Sequence, residues 1–114
     1  MKISTLDKDK FTVISINGDL DASSSILLDS SIEKAVTGGG KNLLIDGTQL
    51  NYISSAGLGV FMSRVQEFEE RGVRMVLYGL SEKILRVFQI LGLDQLLSIV
   101  PSEQEAVRQL NTSP

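Results

Sequence analysis

The chain has 114 residues, of which 42% are hydrophobic and 22% charged, a size and balance that suit a single domain spanning residues 1–114. It contains no cysteine and no histidine, which excludes disulfides, thiolate or imidazole metal sites, Ser-His-Asp and Cys-His catalysis and a histidine phosphorelay on this chain. A formal charge of −3 removes the attraction that drives nonspecific binding to nucleic acid or anionic lipid, and without an apolar leader or an apolar run near ~18 residues the expected location is the cytoplasm, with no membrane.

Residues 2–6 and 11–16 read as two short strands around the polar turn Asp7-Lys8-Asp9-Lys10, a hairpin whose first strand lies at a sheet edge. Asn17-Gly18-Asp19-Leu20-Asp21 reads as a turn, with Asp21 placed to accept N–H bonds as the N-cap of a helix starting near Ala22. Leu28, Ile32, Ala35 and Val36 give that helix one apolar face, and Asp29, Glu33 and Lys34 fall largely elsewhere. A glycine run at 38–40 ends it. Gly-Gly-Gly-Lys is not a phosphate loop, because Ala35 and Asn42 stand where a Walker motif needs Gly and Ser or Thr.

A strand is predicted over 42–46, followed by a short loop from Asp46-Gly47-Thr48 onward and then a helix. From Leu58 the apolar residues take helical spacing at Phe61, Val65 and Phe68, which puts Ser54 and Ser55 at the helix N-terminus. Arg71-Gly72 stops that helix, 73–78 reads as a strand, and Ser81 caps a helix carrying Ile84, Val87, Phe88 and Leu91 that Gly92 ends. Residues 96–100 form a final strand candidate. Ser102 and Glu105 make a capping box for a last helix with Val107 and Leu110 on one face, and the tail from 111 is expected to fray.

A hairpin followed by alternating helices and strands indicates an α/β fold with a small mixed, mostly parallel sheet and flanking helices. The segments 18–21 and 47–55 both follow strands and precede helices, so they should share the rim at the carboxyl ends of the strands. At a helix start the first N–H groups lack intrahelical partners, and the peptide dipoles amount to roughly half a positive charge. Ser54 and Ser55 therefore read either as caps or as hydroxyls at an anion-tolerant position. Asp21 reads as an N-cap or a partner contact, Asp19 equally as either, and Asp46 as the residue that orders its own loop. Gly57 and Gly59 either let another chain approach the helix start or permit packing on the sheet. Met62 stands where a dinucleotide fingerprint would need its third Gly.

Gly18-Asp19-Leu20-Asp21, Asp46-Gly47-Thr48 and Tyr52-Ile53-Ser54-Ser55-Ala56-Gly57-Leu58-Gly59 together resemble the STAS family, specifically its small bacterial anti-sigma factor antagonists. The resemblance covers essentially the whole chain in element order. It implies a regulatory binding module rather than an enzyme, without cofactor, metal or direct contact with nucleic acid. It also implies an anti-sigma factor serine kinase as partner, a serine phosphatase of the same pathway, and phosphorylation at Ser55 that switches partner binding off. Ser54, where many members carry Asp, is the alternative acceptor. The partner surface so implied comprises Asp19, Asp21, Thr48, Ser54, Ser55, Ala56, Gly57 and Leu58. A scaffold subunit of a larger signalling assembly, or a transporter accessory, is the other role the same fold allows.

Overall fold

The computed structural model describes residues 1–37 and 42–111. The elements run β1 (Lys2–Asp7), β2 (Phe11–Leu20), α1 (Ala22–Thr37), β3 (Asn42–Ile53), α2 (Ser55–Arg71), β4 (Met75–Tyr78), α3 (Glu82–Ile90), a 3-10 turn (Leu93–Gln95), β5 (Ser98–Val100) and α4 (Glu103–Asn111). The five strands lie in the order β1-β2-β3-β4-β5, with β1 antiparallel to β2 and every later pair parallel. This is the mixed, mostly parallel sheet with flanking helices that the alternation of elements implies. The glycine run at 38–40 lies outside the described residues.

Alternation along each strand divides the apolar side chains between two layers. Ile14, Ile16, Leu43, Ile45 and Leu77 pack with Leu28 and Ile32 of α1, Phe61 and Phe68 of α2, and Ile84 and Phe88 of α3. The alternate residues Val13, Leu44, Val76 and Tyr78 pack on the other face with Ala106, Val107 and Leu110 of α4. Each helix is held to the sheet by one apolar stripe.

Two expected turns are strand instead. β4 pairs with β3 only as far as Asp46, but β2 and β3 stay paired to the end, from Asn17 opposite Gln49 to Leu20 opposite Ile53. A two-stranded parallel arm thus extends past the sheet. Its mutual pairing satisfies the backbone of residues that read as turn formers, and Leu20, Leu50 and Ile53 bury its inner side. Register shifts on either side of Asn17-Gly18 absorb the irregularity, and Gly18 takes a φ of +112° that other residues rarely adopt. Elsewhere the strand expected from 73 begins at Met75, and the strand expected from 96 begins at Ser98, because Leu96 and Leu97 still belong to the turn that follows the 3-10 segment. Leu91 is not on the core face of α3: it is the C-cap and more than half exposed.

Candidate functional site

The arm ends where α2 begins, and that junction fixes the two serines differently. The Ser54 N–H donates to the Leu20 carbonyl at 2.9 Å, which ties the start of α2 to the end of β2. Ser54 keeps extended backbone angles (φ −89°, ψ 171°), and its Oγ accepts the Gly57 N–H at 3.1 Å. Ser54 is therefore the N-cap. Ser55 is the first residue of the helix; it is exposed, and its hydroxyl makes no hydrogen bond among the described residues. No acidic residue occupies the first turn of α2, so the N–H groups of Ser55 and Ala56 and the positive end of the dipole meet no carboxylate there. One serine holds the helix end while the other offers a free nucleophilic oxygen beside it.

Asp21 plays the capping part for α1. Its Oδ1 accepts the Ser24 N–H at 3.0 Å and lies 2.9 Å from both the Ser24 and the Ser23 hydroxyls. The Ser24 backbone bond, then the Ser24 and Ser23 hydroxyls, hold its carboxyl down at about 2. Asp19 sits opposite Tyr52 on the arm, and its exposed carboxylate makes no hydrogen bond or ion pair among the described residues. Leu20 and Ile53 face the helices, so Asp19 and the half-exposed Tyr52 face away from them.

Three other expected site residues lie elsewhere. Thr48 is strand, five residues before Ile53 and thus roughly 16 Å from the end of the arm at ~3.3 Å per residue. Its N–H and Oγ both donate to Asp46 Oδ1, at 3.0 and 2.7 Å, and Ser15 Oγ donates to Asp46 Oδ2 at 3.3 Å. Asp46 does order this segment, and Thr48 packs against Gly79, where an added Cβ would lie 2.3 Å from its methyl group. Gly57 is buried, and a Cβ there would meet Leu20 and Ile53 side-chain carbons at 2.8–3.0 Å, so its missing side chain makes room for the core and not for a visitor. Leu58 is 8% exposed and belongs to the core. Ala56 and Gly59 are the exposed members of this turn.

The sequence reading also missed features beside the site. Ile26 and Leu27 of α1 stay largely exposed at 71% and 59%. The run Ile26-Leu27-Leu28 signals this, because three consecutive helical residues cannot all face inward. Arg64 of α2 is buried against α1: Nε and Nη2 donate to Asp29 Oδ1 at 3.1 and 2.9 Å, and Nη1 donates to Glu33 and Glu67 at 2.7 and 2.8 Å. Burial works against its charge, but the bonds from Glu33, Glu67 and Asp29 outweigh it and keep the guanidinium protonated. Among the described residues no group of three or more His, Cys, Asp or Glu is arranged to hold a metal, and no helix is long and apolar enough to cross a membrane.

Residues 2–106 match the family model for the STAS domain. The anti-sigma-B factor antagonist of Listeria monocytogenes is 31% identical over 92% of this chain and 91% of its own length. An anti-sigma factor antagonist from Mycobacterium paratuberculosis superposes with a TM-score of 0.87 at 19% identity, over 97% of this chain and 94% of that one. The Bacillus cell fate determinant SpoIIAA in its phosphorylated form does so with a TM-score of 0.73 at 23% identity, over 96% of this chain and all of that one. A family match over nearly the whole chain, together with this mixed sheet and its flanking helices, places the chain in the STAS domain family.

Proposed function

We propose that the chain is an anti-sigma factor antagonist whose unphosphorylated form binds an anti-sigma factor serine kinase and so releases sigma. The observation that carries this reading is the division of labour at the start of α2: Ser54 is committed to the cap, and Ser55 presents an unbonded, exposed hydroxyl. In the switching step Ser55 Oγ attacks the γ-phosphorus of the kinase-bound ATP. The bond from that phosphorus to the bridging oxygen breaks, ADP leaves, and the hydroxyl proton passes to a base on the kinase. The product carries about −1.5 to −2 added charges facing the diphosphate that has just been left behind. Like charges at close range and the cost of burying a dianion then eject the partner; a loss of ~3 kcal/mol is enough for more than a hundredfold in affinity. A serine phosphatase of the same pathway resets the protein, which itself performs no chemistry.

The partner surface on this reading is formed by Ser55 and Ala56, with Asp19 on the adjoining arm, Asp21 at the cap of α1, and Ser54, Gly57 and Leu58 as its support from beneath. Incubation with the cognate anti-sigma factor and ATP, followed by mass spectrometry, is expected to place one phosphate on Ser55. Ser55→Ala is expected to bind the partner whether or not ATP is present, and Ser55→Asp to bind weakly. Label on Ser54 alone, or equal affinity for all three forms, overturns the assignment.

A further inference from the structure

Gly59 is left unexplained by packing within the domain. It lies inside α2, where glycine is less favourable than alanine, and a Cβ built there meets nothing within 4 Å. A bare helical backbone with no internal use points to a molecule that approaches from outside. Gly59 lies on the floor of an open groove of about 380 Å³ between the N-terminal halves of α1 and α2, where Ala22, Ile26 and Asp29 face Ala56, Gly59 and Val60. Ile26 at 71% exposed and half-buried Val60 make its apolar walls. Among the described residues no lysine or arginine lines it. Acid stands at both ends: Asp21 precedes Ala22, and at the far end Asp29 and Glu33, about half exposed, share the single guanidinium of Arg64 with Glu67, three carboxylates to one cation, so that end keeps a net negative charge.

We propose that this groove seats an amphipathic helix of the anti-sigma factor, with one apolar side chain over Gly59 between Ile26 and Val60 and an arginine or lysine reaching Asp29. The proposal rests on the functional reading above and names the chemistry of the partner segment. Asp29 lies seven residues along α1 from Ala22, about 10 Å at 1.5 Å per residue, so a cation there is well removed from a phosphate on Ser55. A second copy of this chain fits less well, because two-fold pairing of the same face would set its acidic ends against each other.

The test compares the unmodified protein, Gly59→Leu and Ile26→Lys in calorimetric titration with the cognate anti-sigma factor, alongside thermal melts and sedimentation of each protein alone. Gly59→Leu is expected to melt no lower than the unmodified protein yet to bind at least about tenfold more weakly, and Ile26→Lys to bind more weakly still. Affinity of the unmodified protein is expected to fall between about 50 and 500 mM salt, as a basic partner segment requires. Binding by Gly59→Leu within about twofold of the unmodified protein, or affinity indifferent to salt, overturns the groove and leaves the switch at Ser55 standing. A dimer of the unmodified protein that Gly59→Leu abolishes reassigns the groove to a second copy. Failure of the unmodified protein to bind any anti-sigma factor sinks the functional reading and this proposal with it.

Discussion

Neighbouring residues of the same type do different work in this protein, and single substitutions separate them. Ser54→Ala removes the oxygen that accepts the Gly57 N–H and is expected to cost about 1 kcal/mol, read as a lower midpoint in urea unfolding. Ser55→Ala removes a hydroxyl with no partner among the described residues, so its stability is expected to stay within about 0.5 kcal/mol of the parent. The two glycines divide similarly. Gly57→Ala drives a methyl group into Leu20 and Ile53 and is expected to destabilise by about 1–3 kcal/mol, whereas Gly59→Ala meets open space and is expected to stabilise by about 0.5–1 kcal/mol. Equal effects at the two positions would contradict the placement of α2 on the arm.

Asp21 gives a pH signature at the same scale. Its carboxyl titrates near 2 in the folded chain against 3.8 as the ordinary value, so folding favours the ionised form. The contribution to stability is complete above about pH 4 and is lost as pH falls through about 2, because protonation removes the acceptor for Ser24 and Ser23. Asp21→Asn is expected to flatten that part of the acid limb of an unfolding profile, and carbon-detected NMR titration of the carboxyl is expected to show the low midpoint directly.

At the scale of elements, α1 and α2 are joined by charge as well as by apolar packing. Arg64 reaches across to Asp29 and Glu33, and the three carboxylates around it remain about 39–48% exposed. Replacing Arg64 by Met would leave those acids hydrated rather than stranded, so the expected loss is about 1–2 kcal/mol instead of the 3–5 kcal/mol typical of a fully buried pair. Chemical denaturation measures it. The helix positions were legible from the spacing of Leu28, Ile32, Phe61, Val65 and Phe68, because a 3.6-residue period is a property of the chain itself. The Arg64 contact was not, since Asp29 and Glu33 lie 35 and 31 residues away and nothing local marks them as partners.

Across the whole molecule, the arm formed by β2 and β3 holds the starts of both α1 and α2 at one end of the sheet. A phosphate on Ser55 would sit outside that frame, against a helix N-terminus that favours negative charge by about 0.3–1 kcal/mol. Phosphorylated protein is therefore expected to keep its melting temperature within a few degrees, with amide shift changes concentrated around residues 54–59 and the facing end of α1. Global unfolding or widespread shifts would show that the switch acts through the fold rather than through the partner.

The sequence by itself determined the order of elements, the antiparallel edge strand, the apolar stripes and the helix start at Ser54-Ser55, because each is written in local periodicity and capping chemistry. The segments 17–20 and 47–53 escaped it. Their glycines and aspartates favour turns locally, and only pairing between two strands some thirty residues apart, with Leu20, Leu50 and Ile53 buried beneath the helices, holds them extended. The same long-range packing decided which serine caps and which is free, why Gly57 is needed, and that Thr48 stands away from the helix start. Those are distances between elements, and a linear pattern carries no information about distances that only the assembled layers create.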